Sequence, residues 1–294
     1  MLSKSWLASV ALSLSFVAAA QTPIPVTTSF SILADLVHVV GGDRVAVTPL
    51  VGPDEDAHVF EPKPADAKAI LQSKLVVTNG LGFEPWMGKL VKSAGYKGAS
   101  VIASTGVVPR KMDEDGHTIT DPHAWQNPAN VIFYVNNISK ALSQLDPAGA
   151  ATYQANSAAY VAELQTLDAW AKTQFTSVPV DKRKVITSHD AFGYFAAHYQ
   201  LKFLAPQGMS TEGEASAKEV ASLVRQIKRE KIKAVFLENM SNPKLLEQLS
   251  KEAGVTPGAT LYADALSAPG QPGATYLQMA RHNVTALVTG LQQN

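Results

Sequence analysis

The chain contains no cysteine. No disulfide can staple it, and no thiolate can serve as nucleophile or metal ligand. Any metal site must therefore be built from imidazole and oxygen donors. The same absence leaves no residue to carry a lipid after a signal segment, so a lipoprotein is not expected. Net charge is lacking as well, since 25 basic and 25 acidic residues give +0. There is no basic stripe, so nucleic acid is not an expected partner. Beyond the first twenty residues no apolar run is long enough to span a bilayer. Short repeats and low-complexity tracts are also missing.

What is present is a chain of 294 residues, 46% hydrophobic, long enough for two domains by the usual size relation. Residues 1–20 carry Lys4, an apolar run from Trp6 to Ala19 and a small-residue end at Ala18-Ala19-Ala20. That pattern predicts a secretory signal peptide cut after Ala20. Loss of Lys4 would leave 24 basic against 25 acidic residues. The expected product is a soluble, monomeric protein of the periplasm.

The stretch from Asp146 to Thr176 organises the rest. Asp146 suits an N-cap and Pro147 a first helical position. Tyr153, Ser157, Tyr160, Leu164, Leu167 and Ala171 recur at helical spacing on one face. At about 1.5 Å per residue the helix would run roughly 40 Å. Similar lengths of chain flank it. The expected architecture is α/β, with two lobes, each a mainly parallel sheet flanked by helices, joined by one long rigid helix. The expected boundaries are an N-terminal lobe at 21–145, a connecting helix at 146–177 and a C-terminal lobe at 178–294.

Strand and helix patterns alternate through both flanks, as a parallel sheet requires. Expected strands in the first lobe are 24–29, 45–51, 75–78 and 101–104. Expected helices are 31–40, 65–72, 84–93 and 129–145. In the second, strands are expected at 184–188, 203–206, 234–238 and 261–263. Helices are expected from His189 to Tyr199, at 217–229, from Asn242 through Ala253, and at 276–291. Residues 107–120 show no period and read as a mobile surface loop.

Three of the seven histidines share a context. His58 follows the strand at 45–51, His123 the strand at 101–104, and His189 the strand at 184–188. Asp264 follows the strand at 261–263. Open α/β sheets bind ligands beyond the carboxyl ends of their strands. The steps 58 to 123, 123 to 189 and 189 to 264 are 65, 66 and 75 residues, so each lobe supplies two groups. Three imidazoles and a carboxylate suit tetrahedral Zn2+, and the same four groups can hold manganese or iron. His38, on an apolar helix, reads as packing. His198 and His282 read as structural or exposed, and Trp125 as packing beside the site. Asp190 and Glu238 are candidates to orient an imidazole through its second nitrogen. Ser210–Glu214 reads as a helix start or a cleft-facing loop.

The segments VGPDEDAHVFEPKPAD (51–66), NGLGFEPW (79–86), DPHAWQNPAN (121–130), TSHDAFGYF (187–195), STEGEASAKE (210–219) and LYADALS (261–267) resemble the metal-binding solute receptors of ABC importers for zinc and manganese. The resemblance runs in order over the whole mature chain. It implies two α/β lobes on one backbone helix, metal ligands at His58, His123, His189 and Asp264, and a permease partner in the inner membrane. It implies a receptor, not an enzyme, with Zn2+ as bound cargo and Mn2+ or iron as the alternative. Two departures stand out. Some zinc receptors carry a long His- and Asp-rich loop before the second ligand, and here it shrinks to Asp113, Glu114, Asp115 and His117. Manganese members often place Glu where this chain has His189, which favours zinc. A secreted zinc hydrolase would need an open coordination position, obtained only if Asp264 served as base. A surface adhesin with structural metal is the remaining class.

Overall fold

The computed structural model describes residues 22–114, 116–212 and 215–294. The signal segment expected at 1–20, Asp115 and Glu214 lie outside the described residues.

The first lobe is built on four parallel strands: β1 (Ile24–Phe30), β2 (Val45–Val51), β3 (Leu75–Thr78) and β4 (Ala99–Ile102), in the order β2-β1-β3-β4. β1 lies inside the sheet, paired at Val26 with both Val47 and Leu75, and its last five residues are buried. Helices α1 (Ser31–Gly41), α2 (Pro64–Gln72), α3 (Met87–Ser93) and α4 (Pro128–Leu145) complete the lobe. Asn127 caps α4 by accepting the Ala129 amide, and Pro128 sits where no amide partner is needed.

Residues 107–120 are not a featureless loop. β5 (Lys111–Glu114) and β6 (His117–Thr120) form an antiparallel hairpin, pairing Met112 with Ile119. Asp146 does not cap the long helix. Its carboxylate instead accepts from Arg44 Nη2 at 2.6 Å and the Tyr153 hydroxyl at 2.7 Å. α3 begins at Met87 rather than Glu84, because the Glu84 carboxylate is taken by Ser29, Asn79 and Gly80.

The long helix α5 (Ala150–Thr176) forms as the apolar spacing predicts. Tyr153, Tyr160, Leu164 and Leu167 enter the first core, and Ala171 and Phe175 the second. The C-terminal helix α9 (Tyr276–Leu291) makes the same crossing. Tyr276, Met279 and Ala280 belong to the first core, and Val284, Leu287 and Leu291 to the second.

The second lobe holds β7 (Lys184–Ile186), α6 (Gly193–Tyr199), β8 (Lys202–Leu204), α7 (Ala217–Glu230) and α8 (Lys244–Ala253). Ser216 and Glu219 cap α7 reciprocally. β7 and β8 pair in parallel, and the pattern continues through single parallel bridges, Ile186 to Val235 and Glu238 to Leu261. The strands expected at 234–238 and 261–263 are therefore reduced to bridges. The cause is local: the Val235 amide turns back to Lys233 O, and the Glu238 side chain takes the Ser188 and His189 amides. The helix expected from His189 starts only at Gly193, and His189 instead forms a single parallel bridge to Gln207. His38 is exposed, not packed, because it falls on the outward side of α1.

Candidate metal centre

The fold brings His58, His123, His189 and Asp264 together. Each offers one donor atom, and the four atoms lie within 4.8 Å of one another. His58 Nε2 is 3.3 Å from His123 Nε2 and 3.2 Å from Asp264 Oδ2, and His189 Nε2 is 3.0 Å from that oxygen. A tetrahedron with arms of about 2.0–2.1 Å has edges of about 3.3 Å. The remaining oxygen, Asp264 Oδ1, is buried without a hydrogen-bond partner, 3.8 Å from His123 Nε2. An unpaired carboxylate oxygen facing imidazole nitrogens is the donor chemistry a cation requires.

Each lobe uses the same device to aim its buried histidine. Asp121 Oδ1 accepts both the backbone amide of His123 at 3.0 Å and its Nδ1–H at 2.9 Å. Glu238 accepts the Ser188 amide at 2.8 Å and the His189 amide at 3.1 Å through Oε1, and His189 Nδ1–H through Oε2. A carboxylate on Nδ1 leaves Nε2 as the lone-pair nitrogen pointing into the site. Glu238 was named from sequence as a candidate for this role. Asp121 was missed, although an Asp two residues ahead of a histidine is a signal that could have found it. Asp190 does not share the role: no hydrogen bond or ion pair joins its carboxylate to an imidazole among the described residues.

Burial pushes the His189 imidazole down, but Glu238 and Asp264 on its two sides outweigh burial and hold it well above its ordinary value of 6.5. Burial likewise pushes the Asp264 carboxyl up, and His189 and His123 overcome it and hold it well below 3.8. Each charge thus offsets the burial of the other.

Aromatic rings floor the site. Phe83 meets His58 edge-on at 4.9 Å, Trp125 meets His123 at 5.3 Å, and Phe83 and Trp125 lie 4.7 Å apart. The turn that carries Phe83 is fixed by Glu84, which burial pushes above the usual carboxylate range. Gly80 is required there, with φ of 82° and a Cβ position 2.4 Å from Ile102. Gly193 serves the other side. A Cβ on it would lie 2.3 Å from Arg110 Nη1 and 2.5 Å from Asp121 Oδ2, so α6 can close on the Arg110–Asp121 pair only with glycine there.

The lobes are tied around the site. Trp125 Nε1 and Gln126 Nε2 both donate to Ala263 O, beside Asp264. The Asp54 amide donates to Leu266 O at 2.8 Å, and its carboxylate accepts from Asn239 Nδ2 at 2.7 Å. The Thr211 hydroxyl donates to Asp56 Oδ2. His117, His198 and His282 lie outside the cluster. His198 pairs with Asp168 and His282 with Thr260 O.

Residues 26–290 match the family described as zinc-uptake complex component A, periplasmic. The chain is 33% identical to the manganese-binding lipoprotein MntA of Halalkalibacterium halodurans, over 92% of this chain and 89% of that one. It is 32% identical to the iron-binding protein YfeA of Yersinia pestis, over 91% and 86%. Among solved structures it is similar to the periplasmic zinc binding protein TroA of Treponema pallidum, with a TM-score of 0.87 and 28% identity over 92% of this chain and 99% of that one. An Mn-bound periplasmic metal binding protein from candidatus Liberibacter asiaticus superposes with a TM-score of 0.81 and 30% identity, over 92% and 100%. The chain thus belongs to the zinc-uptake complex component A family, the substrate-binding receptors of metal ABC importers, and is a receptor rather than an enzyme.

Proposed function

We propose that this protein captures Zn2+ in the periplasm with His58, His123, His189 and Asp264 and delivers it to an ABC permease in the inner membrane. The observation that carries the reading is the convergence of three imidazole nitrogens and one carboxylate within 4.8 Å. Nitrogen-rich, four-donor sets suit zinc, and Asp121 and Glu238 supply the tautomers such a site needs. The absence of cysteine favours a free periplasmic protein, with residues 1–20 removed on export. We assign residues 21–145 and 178–294 to the lobes and 146–177 to the connecting helix, and expect a monomer.

One observation favours a second cargo. If Asp264 ligates through both oxygens, the unpartnered Oδ1 becomes a fifth donor, and higher coordination suits Mn2+ or iron. Relatives named for manganese and for iron support keeping that reading. A hydrolase is disfavoured, because Asp264 Oδ2 lies against two of the imidazoles instead of standing off as a base.

The deciding experiment is elemental analysis of the untagged protein, followed by titration of the chelated protein with zinc against manganese. One zinc per chain, kept against excess manganese, supports the zinc receptor. Manganese or iron as purified, or near-equal affinities, replaces the cargo while keeping the site. No metal and no uptake overturns the receptor reading.

A further inference from the structure

The four donor residues are not equivalent. The side chains of His123, His189 and Asp264 are 0% exposed, whereas that of His58 is 4% exposed. His123 and His189 have a carboxylate on Nδ1, and His58 has none among the described residues. His58 is also the one donor that lines a groove of about 790 Å³, walled by Phe60, Pro62, Trp86 and Lys89 of the first lobe and bordered by Glu212 of the second. A divalent ion with six waters needs about 200 Å³ at about 30 Å³ per water, so the groove that ends on His58 has volume enough for a hydrated ion.

Resting on the receptor reading above, we infer that the ion enters and leaves through this groove by exchange at His58, and that Asp56 and Thr211 hold that gate closed. Asp56 has both oxygens engaged. Oδ1 accepts the backbone amide of His58 at 2.9 Å, and Oδ2 accepts the Thr211 hydroxyl from the other lobe. The second lobe therefore restrains the backbone of His58, the one imidazole of the three with no carboxylate on Nδ1 among the described residues. Loss of the Thr211–Asp56 bond removes that restraint while His123 and His189 stay clamped by Asp121 and Glu238. Release then needs one ligand to let go first, not the whole site to open.

The path can be tested because the chain has no cysteine of its own. Lys89→Cys gives a single thiol in the groove wall, to be blocked with a bulky disulfide-forming reagent. Lys140→Cys, outside the groove, is the control. Zinc uptake and zinc loss to a chelating dye are then followed by stopped flow. The blocked groove should slow both rates about tenfold with Kd changed by less than about twofold, and reduction of the disulfide should restore them. A static packing defect would not slow both rates in parallel. Thr211→Val tests the restraint and should speed zinc loss about tenfold with uptake little changed. Unchanged rates in the blocked Lys89→Cys protein overturn the path, and unchanged loss in Thr211→Val overturns the gate. Absence of zinc binding in the parent protein would instead overturn the receptor reading itself.

Discussion

The two lobes solve one problem with different amounts of sheet. The first sets His58 and His123 beyond a regular sheet in which β1, β3 and β4 pair in parallel residue by residue. The second reaches His189 from a two-stranded ladder extended only by single bridges. The ladder stops because the Glu238 side chain, not a backbone carbonyl, accepts the Ser188 and His189 amides. The second lobe thus gives up ladder regularity where it fixes the His189 imidazole. Segments with fewer ladder bonds open more readily, so that lobe is the one suited to yield.

Removing the shared carboxylate should have the largest effect. Asp264 lies against His58 and His189 at once, and Asp264→Ala should weaken zinc binding by at least about a hundredfold in a competition titration, since loss of a partner outside the ligand shell already costs about 10–100-fold. Unchanged affinity would mean that the lobes are not joined through this carboxylate.

Next come the two orienting carboxylates. Asp121→Asn and Glu238→Gln should each cost about 10–100-fold in affinity. Only Glu238→Gln should also lower the melting temperature of the metal-free protein appreciably, because Glu238 replaces missing ladder contacts. Equal melting temperatures would remove the proposed difference between the lobes.

The effect of pH follows from His189, whose pKa is held above 6.5 by Glu238 and Asp264 once their charges outweigh burial. A raised pKa stabilises the metal-free fold fully below 6.5, and that contribution is lost as pH rises through the raised value. Metal needs the deprotonated nitrogen, so affinity should climb over that same window, by about tenfold per pH unit for one displaced proton. Proton competition therefore begins above the ordinary histidine range. Isothermal titration across pH checks this, and in Glu238→Gln the rise should move to lower pH.

The smallest effect should appear in hydrogen exchange. In the metal-free protein, amides of Val76 and Val77 should exchange about tenfold more slowly than those of Val185 and Phe236, and zinc should narrow the gap. Far-UV helix signal should survive chelation.

Much of this was readable in the sequence, for physical reasons that also mark where reading stopped. β2, β3 and α9 form at the expected residues because their apolar periods are strong and Gly, Pro or Asn-Gly punctuates their ends. His58, His123, His189 and Asp264 were selectable because strand ends in α/β chains face a crevice. The hairpin at 111–120 was illegible because its strands are four residues each and mostly polar, with Met112 and Ile119 as their only apolar residues, so no apolar period marks them. The bridges at 234–238 and 261–263 looked like strands because composition reports burial, not which acceptor an amide finds. Asp121 was hidden because Asp-Pro reads as a turn.

The sharing of α9 between both cores has a consequence for how the chain comes into being. Tyr276, Met279 and Ala280 fill the core of the lobe whose sheet is made first. That core stays incomplete until the last helix has been synthesised, so neither lobe can reach its final packing early and wait for the other. Loss of α9 should unfold both halves in a single transition.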